Sequence, residues 1–106
     1  FRDYLADFHP AHQKPFVIVI TSFNNKDWYV RNLDSVFAQR YDNYRVIYID
    51  DCSQDGTSRY VKEYVSSRNQ SHRFTLIENK EWQSQMVNHI KGVSLCQDDE
   101  IVVHID

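Results

Sequence analysis

The sequence contains only two glycines and two prolines, and this scarcity excludes several nucleotide-binding and catalytic motifs. It has no GxGxxG fingerprint and no GxxxxGK[ST] loop, so a dinucleotide-binding domain and a P-loop nucleotide hydrolase are both disfavoured. It also has no GxSxG turn, which disfavours a serine hydrolase with a nucleophile elbow. Any chemistry of this chain must therefore rest on other side chains.

Long hydrophobic runs and an excess of positive charge are also missing. The longest apolar run, Phe16–Ile20, is far shorter than the roughly 18–20 residues of a membrane span. Arg2, Asp3 and Asp7 interrupt the start of the chain, so no signal peptide is expected. The net charge of −3 argues against general affinity for nucleic acid or anionic membranes. We therefore expect no membrane span in this segment and no nucleic-acid partner.

The chain has only two cysteines, Cys52 and Cys96, and they are too far apart for a CxxC motif. Two thiols in a chain of this size slightly favour a reducing compartment such as the cytoplasm. The sequon Asn69-Gln70-Ser71 would matter only in a secretory lumen. The localisation therefore stays open between these compartments.

Apolar runs alternate with segments of helical periodicity after a lead-in segment, residues 1–15, that contains both prolines. Runs rich in β-branched residues predict four buried strands. They are Phe16–Ile20, Tyr44–Ile49, Phe74–Ile77 and Ile101–Ile105. Each begins roughly 27–30 residues after the previous one, which is the interval of a strand plus its crossover helix. The pattern predicts an α/β fold with a parallel sheet and right-handed crossovers.

The segments between the strands predict three helices, each with one apolar face. These faces comprise Val30, Leu33, Val36 and Phe37 in the first helix, Tyr60, Val61, Tyr64 and Val65 in the second, and Trp82, Met86, Ile90 and Val93 in the third. Asn24 or Asn25 is expected to cap the first helix, with Asp27 in its first turn. Asp55 or Thr57 is expected to cap the second.

Polar side chains follow each predicted strand, and ligands of parallel sheets bind at this carboxyl edge. The adjacent carboxylates of Asp50 and Asp51 end the second strand, and neighbouring side chains on a strand point to opposite faces. One of them is therefore expected to face the crevice, where it could accept from a base imide N–H or from ribose hydroxyls. The alternative is that Asp51, Ser53 and Asp55 form only a turn and a helix cap.

Four segments resemble the family 2 glycosyltransferases. Val17–Asn24 is similar to the family's first strand and loop, and Leu33–Tyr41 to its first helix, with the spacing L-x-S-V-x-x-Q-x-Y. Val46–Thr57 resembles its acidic-pair signature, and Ile101–Asp106 resembles the strand leading into its DxD motif, with Asp106 as the first aspartate. The resemblance runs from about Phe16 to the last residue.

The resemblance implies a GT-A-type fold, a Rossmann-like three-layer sandwich. Residues 16–106 would be its nucleotide-sugar-binding half, truncated after the fourth strand. It implies a nucleotide-sugar donor, which is commonly a UDP-sugar, and a divalent cation, either Mn²⁺ or Mg²⁺. It also implies inverting transfer to an acceptor hydroxyl on a glycan, protein or lipid. The positions that match the family's motifs imply a role for each residue. Thr21, Phe23 and Asn24 would surround the base, and Asp50 or Asp51 (Asp51 is favoured) would contact the uracil or the ribose. Asp106 would contact the metal or the ribose.

This chain departs from the family pattern at several positions. Cys52 stands where glycine is usual, and Gln85–Asn88 replaces the usual Ala-Arg-x-Asn, so no arginine is offered to the donor phosphates. The family's catalytic base lies further on, so this chain alone is expected to be inactive. Two other classes stay open: a non-catalytic α/β binding or regulatory domain with an acidic cluster, and a structural subdomain. In a receiver-like module, however, the acidic pair follows the first strand, whereas here it follows the second.

Overall fold

The computed structural model describes residues 15–38 and 43–105, and a four-stranded parallel sheet lies at their centre. Its strands are β1 (Phe16–Ser22), β2 (Tyr44–Asp50), β3 (Phe74–Glu78) and β4 (Ile101–Ile105). Their order across the sheet is β3-β2-β1-β4, and each neighbouring pair is parallel. All four predicted strands are thus confirmed. The lead-in before Pro15, and Asp106, lie outside the described residues.

Helices cover both faces of the sheet. They are α1 (Tyr29–Phe37), α2 (Thr57–Ser67) and α3 (Gln85–Ser94), with a short 3₁₀ turn, Ser71–Arg73, before β3. The helices α1 and α2 pack on one face, and α3 packs on the other. The predicted three-layer α/β fold is therefore confirmed. None of the described helices is long and apolar enough to cross a membrane.

The core is built on the two central strands. All seven residues of β1 are buried, and β2 is buried except at Arg45. Alternate residues point to opposite faces, so Ile18 and Ile20 contact the α1 and α2 layer while Val17 and Val19 belong to the other face. Central strands covered on both faces require the continuous apolar runs seen in the sequence.

An ion pair closes the amino end of the sheet. The guanidinium of Arg45, near the start of β2, donates to both carboxylate oxygens of Glu100 at 2.9 Å and to the carbonyl of Leu95 at 3.0 Å. Glu100 directly precedes β4, and its side chain is mostly buried. The pair therefore fixes the end of the α3–β4 connection against β2, far from the carboxyl edge.

The predicted helix caps are wrong at α1 and α2. Helix α1 begins after Trp28, so Asp27 precedes its first turn, and no side chain caps it. Gly56, with φ of 85°, holds the cap position of α2. The two polar loops instead bond to each other. The amides of Asn24, Asn25 and Lys26 donate, in that order, to side-chain oxygens of Ser53, Thr57 and Asp55, at 2.8–3.1 Å.

The predicted core face of α3 is also wrong. Trp82 precedes the helix, and Met86, Ile90 and Val93 are exposed, whereas the buried residues of α3 are Asn88 and Gly92. The helix can approach the sheet closely because Gly92 has no side chain. A Cβ atom at Gly92 would lie 2.6 Å from Cγ1 of Val19. Apolar periodicity identifies a face, but here a glycine decides which face meets the sheet.

We expect Gly92→Ala to lower the free energy of unfolding by about 1–2 kcal/mol. Overpacking against the stiff, fully buried Val19 side chain costs roughly 1–3 kcal/mol, and the higher helix propensity of alanine offsets up to about 1 kcal/mol of it. Urea denaturation measures the difference. In a Val19→Ala background, the space is open and Gly92→Ala should become neutral or stabilising. An equal loss in both backgrounds would contradict the close-approach explanation.

Candidate functional site

The Asp51 carboxylate connects three segments at the carboxyl edge of the sheet. Its Oδ1 accepts from Nδ2 of Asn79 at 3.0 Å and from the Gln83 amide at 2.7 Å. Its Oδ2 accepts from the Ser84 amide at 2.9 Å. Asp51 directly follows β2, Asn79 directly follows β3, and Ser84 directly precedes α3. One side chain thus ties the ends of two strands to the start of a helix.

Asp51 remains ionised although it is buried. Burial alone would raise its pKa, because a carboxylate loses hydration there. The hydrogen bonds from Asn79 and from the Gln83 and Ser84 amides lower the pKa below its ordinary value. The site therefore contains a fixed negative charge at neutral pH.

A chain of amides and one cation extends from Asp51. Nδ2 of Asn79 also donates to Oδ1 of the fully buried Asn88 at 2.7 Å, and Nζ of Lys91 donates to Oδ1 of Asn79 at 3.1 Å. Both acceptor and donor ends of Asn79 are thereby used. This arrangement fixes the side-chain orientation of Asn79, and with it the geometry around Asp51.

The backbone of Ser84 is strained. Its φ of 100° lies in a region that residues with a Cβ atom rarely adopt. The Ser84 hydroxyl accepts from the Val87 amide at 3.5 Å, while its own amide donates to Asp51. Strained backbone persists where surrounding contacts hold it, and such positions cluster at ligand sites.

Asp50 has a different role from its neighbour. Its two carboxylate oxygens accept from the hydroxyl of Ser53 at 2.5 Å and from the Ser53 amide at 3.2 Å. Burial raises the pKa of Asp50, and the bonds from Ser53 oppose that effect. Cys52, between Asp51 and Ser53, has a φ of 61°, and its thiol donates to the Lys80 carbonyl at 3.3 Å. Asp50 thus braces the turn that presents Asp51.

A cavity of about 270 Å³ opens beside Asp51, between the ends of the central strands and the start of α3. It is lined by Thr21, Ser22, Phe23, Asp51, Trp82, Gln85 and Asn88. Oγ1 of Thr21 lies 3.4 Å from Nε2 of His104 on β4. The residues Phe23 and Trp82 are 51% and 62% exposed. The cavity thus combines a polar, charged floor with two open aromatic rings.

The structure brings together half of the residues suggested by the sequence. Thr21, Phe23 and Asp51 line the cavity, but Asn24 and Asp50 do not. Asn24 instead joins two loops, since its Oδ1 accepts from the Gln54 amide at 2.9 Å. Asp106 lies outside the described residues.

Four lining residues were missed: Ser22, Trp82, Gln85 and Asn88. Ser22 adjoins a residue that was proposed, and Gln85–Asn88 occupies a region already aligned with the family's motif. The apolar periodicity predicts Trp82 on a buried helix face, whereas it precedes the helix and is exposed. Its position soon after the end of β3 is the better indication of a site residue, because the loops that follow parallel strands lie at the ligand-binding edge of the sheet.

The comparison with known families identifies the family of this chain. The family model described as "Glycosyl transferase family 2" matches residues 17–106. The chain belongs to glycosyl transferase family 2. A similar curated protein is TuaG of Bacillus subtilis (strain 168), which is named as a teichuronic acid biosynthesis glycosyltransferase. It is 37% identical over 67 residues, which cover 62% of this chain and 27% of TuaG.

Solved glycosyltransferase structures share the fold of this family 2 chain. The mannosyltransferase PcManGT from Pyrobaculum calidifontis, solved with GDP-Man and Mn²⁺, matches with a TM-score of 0.75 at 16% identity, over 91% of this chain and 30% of that one. TarS of S. aureus matches with a TM-score of 0.70 at 18% identity, over 85% of this chain and 16% of that one. The GT-A fold is thus confirmed, and the chain spans less than a third of these proteins.

The two aspartates should affect stability with opposite pH dependence. The pKa of Asp51 is lowered by folding, so its stabilising contribution is present above the unfolded-state pKa of about 3.9 and is lost as the pH falls through the folded pKa. The pKa of Asp50 is raised, so stability is lost as the pH rises from about 3.9 through its folded value. Asp51→Asn should therefore cost stability at pH 7, by about 1–3 kcal/mol, because its new NH₂ group faces an amide donor.

Urea denaturation of Asp51→Asn, Asp50→Asn and the unsubstituted chain between pH 2 and 8 measures both effects. The penalty of Asp51→Asn should stay constant above about pH 5 and shrink below it. Asp50→Asn should cost less at pH 7, since an asparagine can still accept from the Ser53 amide. Equal penalties with equal pH slopes would contradict the separate roles of the two carboxylates.

Proposed function

We propose that this chain is the donor-binding part of an inverting, metal-dependent glycosyltransferase that transfers a sugar from a UDP-sugar to an acceptor hydroxyl. Membership of family 2 supports the reaction class. The position of the cavity supports the donor role, because ligands of parallel sheets bind outside the carboxyl ends of the strands. The main observation in support of this proposal is the ionised, buried Asp51 carboxylate in the wall of that cavity.

Asp51 can recognise a base through the hydrogen-bonding capacity that it has left. A carboxylate offers about four acceptor positions, two on each oxygen. Two bonds occupy Oδ1 and one occupies Oδ2, so Oδ2 retains one position. The imide N3–H of uracil can donate to it, whereas the corresponding ring nitrogen of cytosine has no proton to donate.

The same count favours uracil over guanine. Guanine would present two donors side by side, its N1–H and its amino group, and would use both oxygens of a carboxylate. Oδ1 of Asp51 already accepts from Asn79 and Gln83, so only a single donor fits. This supports a UDP-sugar for this chain, although PcManGT was solved with GDP-Man.

The metal requirement rests on residues outside the described part of the chain. Within residues 15–38 and 43–105, no group of three or more His, Cys, Asp or Glu side chains could hold a metal ion. Ile105 of β4 pairs with Ile20, one residue before Thr21 of the cavity wall. A ligand at position 106, as we propose for Asp106, would follow that pair. A bound Mn²⁺ or Mg²⁺ would supply positive charge to neutralise the leaving diphosphate.

We expect Asp51→Asn to weaken UDP binding about ten- to a hundredfold, because a hydrogen bond to a charged group contributes roughly 1.5–3 kcal/mol. CDP binding should fall less than UDP binding, so the preference for UDP over CDP should fall towards one. Isothermal titration of UDP, CDP and GDP measures all three affinities. Asp50→Asn is the matched control, since that carboxylate contacts Ser53 and does not line the cavity.

The ratio of affinities separates base recognition from a general loosening of the site. If Asp51→Asn only disturbs the loop at Gln83 and Ser84, the affinities for UDP and CDP should fall in parallel. Unchanged UDP affinity in both aspartate variants would remove the main support for a donor site.

A further inference from the structure

We propose that the outer side of α3 is a docking surface for the lead-in segment of the same chain, residues 1–14. The docking surface consists of the exposed apolar residues of α3 and of its C-terminal end, which are Met86, Val87, Ile90, Val93 and Leu95. None of these residues lines the cavity beside Asp51. The nucleotide site therefore does not account for their exposure, and the proposal is independent of the proposed function.

Packing among the described residues leaves the docking surface uncovered. Met86 is 75% exposed and Ile90 is 62% exposed, although both side chains are large and apolar. Met86 precedes Ile90 by four residues and Val93 follows it by three, so the three side chains share one side of the helix. The opposite side of α3, with Asn88 and Gly92, is buried against the sheet. Adjoining apolar side chains on a surface mark a site of interaction.

The sequence of the lead-in contains apolar residues with the same kind of spacing. They are Phe1, Tyr4, Leu5 and Phe8. Steps of three and four residues predict one apolar face of a helix, and the charged residues between them fall on its other sides. Proline at position 10 disfavours helical backbone at the residue before it, so the predicted helix ends near Phe8. Such a short helix is stable only when its apolar face is covered.

The connection to the sheet places the docking surface within reach of the lead-in. The Ile101 amide donates to the Pro15 carbonyl at 2.8 Å, so the lead-in joins the sheet at the amino end of β1 and β4. Helix α3 ends at the same end of the sheet, since the Leu95 carbonyl accepts from Arg45 at 3.0 Å. Residues 10–14 can span at most about 18 Å. This exceeds the roughly 10–12 Å diameter of a helix, so the lead-in can pass around α3 to its outer side.

The two apolar stripes also match in length. Met86 and Val93 are separated by the same number of residues as Phe1 and Phe8, which corresponds to about 10 Å along a helix. Since the lead-in reaches the sheet at the end where α3 stops, Phe8 would contact Val93, and Phe1 would contact Met86. The two helices would therefore run in the same direction.

The covalent connection favours the lead-in over a second copy of the chain as the occupant. A segment tethered by a few residues has an effective concentration on the order of millimolar at a surface that it can reach. A second copy would have to displace this segment from α3 before it could bind there. The lead-in therefore covers the docking surface at ordinary protein concentrations.

The first experiment is a double-mutant cycle measured by thermal melting. Leu5→Ser and Ile90→Ser should each lower the melting temperature by roughly 4–8 °C. The double variant should melt at about the temperature of the less stable single variant, because residues in contact are coupled. Val30→Ser is the matched control, since Val30 is an exposed apolar residue on α1. Its effect should add to that of Leu5→Ser.

The second experiment traps the contact with a disulfide. Leu5→Cys combined with Ile90→Cys should form a disulfide within one chain under mild oxidation, because such a bond requires Cα atoms about 4.4–6.8 Å apart. Leu5→Cys combined with Val30→Cys is the control and should not form one. Peptide mapping identifies the joined thiols, since Cys52 and Cys96 are also present.

Two results would overturn the proposal. The first is strictly additive melting shifts for Leu5→Ser and Ile90→Ser, with no more disulfide in the Leu5→Cys and Ile90→Cys pair than in the control pair. The second is a disulfide that joins two chains in Ile90→Cys alone, together with a dimer in analytical ultracentrifugation of the unsubstituted chain. That result would assign the docking surface to a second copy.

Discussion

The geometry of the carboxyl edge depends on one buried carboxylate. Asp51 accepts hydrogen bonds from the side chain after β3 and from two backbone amides before α3. The intervening loop has no regular secondary structure, so these bonds set its course. They also hold Ser84 in a conformation that a serine would not adopt by itself. The position of Trp82, and hence one wall of the cavity, follows from this single charge.

A second set of bonds holds the opposite side of the edge. The loop after β1 donates three consecutive amides to side chains of the loop after β2 and of the first residue of α2. These bonds use Ser53, Asp55 and Thr57, and Asp50 in turn holds Ser53. The two aspartates thus have different structural roles. Asp50 holds the contact between the loops that precede α1 and α2, and Asp51 holds the loop between β3 and α3. Alternation along a strand is what sends the two carboxylates to different layers.

The sequence predicted the central strands because burial on both faces demands a continuous apolar run, as in Phe16–Ile20. It also predicted that Asp50 and Asp51 differ, but which one faces the cavity depends on where α3 packs. That packing depends on Gly92 meeting Val19, a contact between residues far apart in the chain. The same contact explains why the apolar side of α3 is exposed although its periodicity predicts a core face. Local patterns do not contain such pairings.

The position of β4 has a consequence for the order of folding. In β1, Phe16 pairs with Tyr44 on one side and with the much more distant Ile101 on the other. Closing a longer loop costs more chain entropy, and contacts distant in sequence slow folding. The layer of β1, β2, β3, α1 and α2 can therefore assemble while β4 is still being synthesised. The cavity wall formed by Thr21 and Phe23 is then built first, and His104 of β4, which lies beside Thr21, joins last.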